Sequence, residues 1–492
     1  MVCEVLVVGG GIGGLTVAAL LATRGVNVCL LERNSRVGGC VEIFEKFGYR
    51  FDPGLGLYTE WEPGGIHNQV FSELPVEAPE VQLRDPAYCV RLPDQTEVSI
   101  TSNTEQFETT LAEIFPECAD EAIRFYRDAA HTSDIIRRSL NAASDLHTTG
   151  MLKRVYTLLP RFGEAARIVK SRKEIALQHL ESTSLRFRRF VEVQLQLLAQ
   201  VPSHECSYHD ASLALNAPRQ GMFSIRGGAT ALAERLAESI KASGGRIRLD
   251  TPVLRLAYDA AGQAVGVDLL SGETLEASQA IISNLTVWDT YGKLMGLNRA
   301  PLEVRKTING LRGWGVYLLY VGVDEATATR IPHDHVLALT DWQENQNYDP
   351  EVAQFMSAAA PSWDPRAPAG RRAVTIQVFT DVEQWFTFHE NEEQHEEKDR
   401  SLLEAWWPRI QRAIPELGDD LELIETVTPR TMYDQTRRKL GMVGAPSPRD
   451  GAALGSFTSL PNVFMVSDTT SQSASIACVT RAALALANHL TR

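Results

Sequence analysis

Three features of the sequence predict an α/β fold: a mainly parallel, three-layer sheet with a second lobe of α+β texture interleaved into it. They are a strand–glycine turn–helix–strand unit at the start, a glycine-punctuated set of strands at 221–290, and a strand plus small-residue helix at the end. In the first unit an apolar run, Val5 to Val8, enters Gly9-x-Gly11-x-x-Gly14. A helical stretch from Leu15 to Thr23 follows, and a second apolar run, Val28 to Leu31, ends on Glu32. Gly9 permits the tight turn, Gly11 lets the backbone approach a pyrophosphate, and Gly14 lets helix and strand pack closely. The helix N-terminus supplies oriented N–H groups for an anion. Glu32 lies eighteen residues beyond Gly14, near the spacing of a carboxylate that binds a ribose hydroxyl. A merely glycine-rich turn would account for the glycines but not for the acid. The unit predicts a dinucleotide site.

Residues beyond it separate NAD from FAD. Arg36-Val37-Gly38-Gly39 follows Glu32, and a second glycine pair implies another close backbone approach to a long cofactor. At the other end Pro461-Asn462 leads into an apolar run, Val463 to Val466, that ends on Ser467-Asp468; a small-residue helix, Ile476 to Leu490, follows. A cofactor held near residue 32 and again near residue 468 is long and resident, which fits FAD.

The expected organisation is discontinuous. Residues 1–68, 221–294 and 455–492 form a Rossmann-like FAD-binding domain, and 69–220 with 295–454 form an α+β substrate-binding domain. In the middle cofactor piece Gly227-Gly228 precedes a helix with Leu232, Leu236 and Ile240 on one face. Strands are expected over 247–249, 253–258, 265–270 and 280–283, with Ser271-Gly272 as a hairpin turn. In the second lobe strands are expected at 89–92, 97–100, 315–323 and 373–379. The acidic stretch 389–400 reads as a solvated loop or a helix start.

A chain of 492 residues, 44% hydrophobic and 22% charged, is long enough for two lobes and ordinary for a globular protein. Its net charge of -14 argues against nucleic acid as a partner. No apolar run approaches membrane-spanning length, and a strand that begins at once leaves no room for a signal peptide. Seven scattered cysteines without a CxxC pair read as reduced thiols of a cytoplasmic protein. Eleven histidines without HxxxH or HExxH spacing give no expectation of a metal. One local imbalance stands out: residues 151–190 carry ten Lys/Arg and three Glu, interleaved with apolar residues. A basic amphipathic helix on an acidic protein is the footprint of a surface that meets anionic lipid. The plainer alternative is a solvated helix with ordinary ion pairs.

Taken together the motifs resemble the FAD-dependent phytoene desaturase family, which includes carotenoid cis–trans isomerases and retinol saturases. The resemblance rests on V-V-G-G-G-I-G-G-L (7–15), R-V-G-G-C (36–40), F-G-Y-R-F-D-P-G (47–54), I-R-G-G-A-T-A-L-A-E-R-L (225–236), S-N-L-T-V-W-D-T-Y-G-K-L (283–294), T-P-R-T (428–431) and N-V-F-M-V-S-D (462–468). Within that family E-P-G-G-I-H (62–67) and Q-L-Q-L-L-A-Q-V (194–201) look most like carotenoid C-3',4' desaturases. The resemblance implies a flavoprotein that desaturates a long polyene by hydride transfer to the flavin N5, with a tunnel open to the membrane. Exposing roughly forty carbons to water at about 0.8 kcal/mol each costs about 30 kcal/mol, so such a substrate is better drawn from a bilayer. A cytoplasmic, peripherally membrane-associated enzyme is expected, with 151–190 as its dock. A redox-neutral isomerase or a saturase is the alternative within enzymes. A non-catalytic carotenoid-binding protein is the alternative outside them, and an amine oxidase is a further one.

By the same resemblance Gly9, Gly11, Ile12, Gly13 and Gly14 line the pyrophosphate and Glu32 holds the adenosine ribose. Arg33, Gly38, Gly39 and Cys40 follow the chain towards the flavin. Val253 meets the adenine, Asn284 and Leu285 lie near the cofactor, and Asp468 sits at the ribityl–pyrophosphate end. No catalytic residue is assigned. An Asp52–Arg50 pair and Arg430 are candidates near the flavin ring, each with a structural ion pair as the plainer reading. Trp314, Trp342, Trp385, Trp406 and Trp407 are candidates for lining a tunnel. Two departures from the family pattern matter: Cys40 stands where amine oxidase-type relatives carry Arg, and Ser467, Ser473, Ala474 and Ser475 replace glycines of the C-terminal turn.

Overall fold

The computed structural model describes residues 2–146, 162–344, 346–386, 391–418, 421–444, 455–470 and 475–491. Its first sheet has seven strands. The order is Arg246–Arg248, Val28–Leu31, Val2–Val8, Thr274–Ser283, Ala264–Leu269, Val253–Tyr258, with Val463–Met465 also pairing Thr274–Ser283. That long strand divides its second edge between two partners. Residues 274–276 pair antiparallel with the Ala264–Leu269 strand, and residues 281–283 pair parallel with Val463–Met465. The parallel half is buried on both faces, as a sheet covered on two sides must be. Val5 and Val7 point to one core, Leu6 and Val8 to the other.

On the first face lies the helix Ile12–Thr23, in which every residue from Ile12 to Ala22 is buried. It packs against the helices Gly228–Ala242 and Ile476–Leu490, so small and apolar residues all round it are a packing requirement. The strands Val253–Tyr258 and Ala264–Leu269 and the segment around Tyr291–Met295 cover the opposite face. One detail differs from the sequence-based division. The strand Met222–Ile225, which opens the middle cofactor piece, pairs not with this sheet but with Tyr58–Thr59 and Val81–Arg84.

A second seven-stranded sheet runs Glu422–Val427, Gly315–Asp324, Arg371–Thr380, Gln354–Ala359, His335–Leu339, Tyr88–Arg91, Glu97–Ile100. Alternation sorts its side chains. Tyr317, Leu319 and Val321 pack under the helix Glu392–Ala413 with Trp406 and Ile410. Val316, Leu318 and Tyr320 turn to the other face with Tyr49 and Phe51. The acidic stretch is therefore the start of a long helix. Asn391 and Gln394 form a capping box there, and Glu392 and Glu393 lie at the positive end of the helix dipole.

The basic segment is not one surface. Residues 147–161, with Lys153, Arg154 and Arg161, lie outside the described residues. Arg186, Arg188 and Arg189 belong to the helix Leu185–Leu198. Arg189 is 7% exposed and donates to the carbonyls of Trp342, Gln343 and Gln346. These arginines satisfy carbonyls within the lobe, so among the described residues the basic surface narrows to the helix Phe162–Lys173.

A buried histidine carries a pH dependence. His67 stacks on Trp61 with ring centroids 4.4 Å apart, and burial, with Arg481 adding repulsion, drives its pKa from 6.5 to about 3. Between those values the unfolded chain takes up a proton that the folded chain refuses. The contribution is therefore complete above 6.5 and is lost as the pH falls below it. At about pH 5.5 the loss is about 1.4 kcal/mol. Thermal melts of wild type should drop between neutral pH and pH 5.5, and His67→Phe, which keeps the stack, should flatten that part of the profile.

Candidate functional site

The two glycine turns face one another. The Gly38 N–H donates to the Gly10 carbonyl at 2.8 Å, Gly11 bridges Gly38, and a Cβ at Gly39 would lie 3.4 Å from the Gly11 Cα. Gly9 and Gly38 have φ of 102° and 126°, a backbone that side-chain-bearing residues rarely adopt. Gly14 does not line the resulting cavity. A Cβ there would overlap the Gly9 carbonyl oxygen and crowd Asn284, so its role is the close approach of helix to strand. Of the predicted residues Gly9, Gly11, Ile12, Gly13, Glu32, Arg33, Gly38, Gly39, Cys40, Val253, Asn284, Leu285 and Asp468 all line one cavity of about 590 Å³.

Three observations fit this cavity to a dinucleotide. The helix Ile12–Thr23 begins at Gly11 with no side-chain cap, leaving first-turn N–H groups without intrahelical partners where an anion would sit. The walls at the two turns are bare backbone. Glu32, at the far end, is braced: Oε2 accepts from the Gly10 N–H at 2.6 Å and Oε1 from the Asn34 N–H at 2.9 Å. A carboxylate has about four lone-pair sites, so two acceptor positions are left for a ribose diol. Asn284 fastens the loop from below. Its N–H donates to the Val8 carbonyl and its Nδ2 to the Val466 carbonyl, at 2.8 and 2.5 Å.

The second lobe closes the cavity with residues that sequence reasoning missed: Thr436, Arg437 and Arg438. The Arg33 guanidinium donates to the Gln435 carbonyl. Arg438 is the central one. It is 9% exposed, pairs with Asp468 at 2.9 Å, and donates to the carbonyls of Met442 and Gly444 at 2.8 and 3.2 Å. Burial opposes its charge, but Asp468 and nearby Cys40 more than offset that and hold it above its ordinary value. The T-P-R-T motif pointed to this stretch, but Arg430 is not among the lining residues; the helix Pro429–Thr436 instead delivers the arginine that follows its end.

A second cavity of about 360 Å³ adjoins the first, sharing Cys40, Val41, Arg438, Asp468 and Ile476. Its walls are mostly aliphatic, among them Leu55, Leu57, Leu197, Leu213 and Met432. None of the five tryptophans lines it; Trp385 and Trp406 pack on Tyr317 beneath the sheet, and Trp342 meets Arg186. Leu140, on the helix Ala119–Leu146, lines the cavity and is 37% exposed. The expected Asp52–Arg50 pair is not formed. Arg50 pairs with Glu45 at the surface, and Asp52 pairs with buried Arg366, which also holds Asp364. That network ties the 47–54 segment to the Gly227-Gly228 turn, because the Gly227 N–H donates to Asp364. It is structural.

Cys40 is exposed to both cavities, but the protein crowded around that concave wall pushes its thiol up, with Arg438 pulling the other way. A protonated thiol is a weak nucleophile. At the C-terminal turn Ser467 is absorbed locally: its Oγ lies 2.7 Å from Thr469 Oγ1. Ser475 caps the last helix, while Ser473 and Ala474 lie outside the described residues. No helix among the described residues is long and apolar enough to cross a membrane. One cluster of metal-ligand types, Cys89, Glu97 and His333, occurs among them. There Glu97 is taken by Arg91 and the Cys89 thiol is pushed up to about 12, chiefly by burial.

A glycine-lined dinucleotide cleft beside an apolar chamber fits a flavoprotein oxidoreductase. The chain belongs to the flavin-containing amine oxidoreductase family, whose model matches residues 12–484, and its cofactor is FAD. It is 25% identical over 462 residues to prolycopene isomerase of Arabidopsis thaliana, covering 91% of this chain and 74% of the relative. It is also 25% identical over 466 residues to human all-trans-retinol 13,14-reductase, covering 87% and 74%. Among solved structures it is similar to an oxidoreductase from Methanosarcina mazei (TM-score 0.64, 15% identity, 99% of both chains). Cyclohexylamine oxidase from Brevibacterium oxydans is another (TM-score 0.62, 15% identity, 99% and 98%). These structural likenesses establish the fold alone.

Proposed function

We propose that the protein is an FAD-dependent desaturase of a long polyene isoprenoid, acting in the aliphatic chamber beside the cofactor cavity. The observation that carries this is the wall the two cavities share, Cys40, Val41, Arg438, Asp468 and Ile476. Gly9, Gly11, Ile12 and Gly13 would hold the pyrophosphate, Glu32 the adenosine ribose, and Val253 the adenine. Arg33, Gly38, Gly39, Cys40, Asn284 and Asp468 would hold the remainder, with Arg438 as counter-charge. When bound, the flavin supplies a hydride acceptor at N5. The chain's part is to orient the polyene and exclude water. The carboxylates lining the chamber, Glu60 and Asp468, are each paired with an arginine, which fits a reaction that needs no strong protein base.

A redox-neutral isomerase or a polyene reductase is the second reading, favoured by the activities of the relatives named above. Anaerobic single turnover distinguishes them. A desaturase bleaches the flavin's visible absorption and adds a double bond; an isomerase leaves hydrogen count and absorption unchanged; a reductase acts only after prior reduction. Absence of bleaching with every polyene tried would sink the desaturase reading. The helix Phe162–Lys173 and exposed Leu140 would face a membrane surface, a reading that co-sedimentation with anionic vesicles checks.

A further inference from the structure

Cys89 is buried, yet it joins none of the apolar clusters among the described residues. Along the strand Tyr88–Arg91 alternation sends Tyr88 and Val90 into a hydrophobic core and turns Cys89 and Arg91 to the other face. On the paired strand Glu97–Ile100 the register sets Ser99 opposite Cys89 and Glu97 opposite Arg91, so Glu97 lies diagonally beside the thiol. His333, in the loop before the strand His335–Leu339, closes the third side, with Nε2 3.4 Å from Glu97 Oε2. Cys89, Glu97 and His333 each bring one donor atom to a common space in which no two are more than 4.8 Å apart. None of the three lines the cofactor cavity or the chamber.

A tetrahedral zinc with sulfur at about 2.3 Å and nitrogen and oxygen at about 2.0 Å holds its ligands about 3.3–3.6 Å apart. The His333–Glu97 separation already matches. Arg91 does not occupy the position: it binds Glu97 through Oε1 and leaves Oε2 to His333. Arg91 also pairs with Glu416, so one guanidinium serves two carboxylates and a unit of negative charge is left over. Burial keeps the free thiol protonated, but a bound dication expels that proton to water, and the thiolate with the residual charge then balances the ion. The side chains of Glu97 and His333 are 33% and 24% exposed, which gives the ion its way in. We propose that Cys89, Glu97 and His333 form a zinc site, with water as the fourth ligand, that staples the edge hairpin of the second sheet to the loop before His335–Leu339. Thiolate and imidazole select Zn2+ over the hard cations Mg2+ and Ca2+. Set apart from the cofactor cavity, the ion serves the fold and not the redox chemistry.

The test strips the FAD-loaded protein with a chelator, removes the chelator, and titrates with Co2+ followed by difference absorption. One Co2+ should bind per chain, produce a thiolate-to-cobalt charge-transfer band, and be displaced by Zn2+. Zn2+ at a hundredfold excess over its Kd should raise the thermal midpoint by about 3 °C. Cys89→Ala should abolish the band. His333→Ala, a change in a loop, should weaken Zn2+ binding by about tenfold or more, and both variants should keep wild-type flavin content. Absence of the band in the wild type, a band that survives Cys89→Ala, unchanged Zn2+ affinity in His333→Ala, or equal competition by Mg2+ would each overturn the proposal.

Discussion

Gly14→Ala is expected to reduce FAD affinity by about a hundredfold, measured by flavin fluorescence titration of the refolded apoprotein. The added Cβ meets the Gly9 carbonyl oxygen and the Asn284 side chain. A backbone oxygen cannot rotate aside, so the helix must back away from the turn. Overpacking of this kind costs about 1–3 kcal/mol, and the upper value corresponds to about two decades in binding. The penalty would fall on the cofactor because the displaced element carries the first-turn N–H groups proposed to hold the pyrophosphate. Gly25→Ala is the control for general damage. A Cβ there meets nothing within 4 Å, although φ is positive, so it should lower stability slightly and leave affinity near wild type.

Arg438→Met should be more damaging to the folded protein. It leaves Asp468, whose side chain is 18% exposed, with no counter-ion; breaking a fully buried pair costs about 3–5 kcal/mol, and this half-buried one should cost less, about 2 kcal/mol. A lower thermal midpoint and loss of flavin during purification are the expected results. The double variant Arg438→Met/Asp468→Asn separates two roles. With both charges gone, much of the stability should return, whereas flavin retention should not, because the cation facing the cofactor cavity is still missing. Recovery of both together would show that Arg438 serves the fold and not the cofactor.

Much of the cofactor half was legible because its requirements are local. A glycine turn, an apolar strand and an acid at fixed spacing must appear within some thirty residues, and the strands Val28–Leu31 and Val253–Tyr258 and the helix Ile476–Leu490 lie where the pattern put them. The substrate half was less legible because its contacts join distant segments. Arg366 reaches Asp52 from a Pro-rich loop that carries no signal of its own. Arg438 follows a helix end and gains its meaning only from Asp468, thirty residues on. The tryptophans illustrate the reverse error: large aromatic rings attract attention as cavity walls, but Trp385 lies in the turn after the Arg371–Thr380 strand and Trp406 on the helix Glu392–Ala413, and both pack on the sheet's other face. The local count of basic residues misled in the same way at Arg189, whose buried guanidinium gathers three carbonyls.

The stretch from Gln435 to Arg438 crosses from one lobe to the roof of the other's cavity, and it is fixed there by Arg33 at one end and Asp468 at the other. A ligand beneath it is enclosed rather than merely docked. A flavin held there would exchange with solution only when the lobes part, so its release would be governed by an opening event as well as by affinity at the glycine loop. Both lobes would then share it as a clasp, and the apoprotein should melt below the flavin-loaded protein.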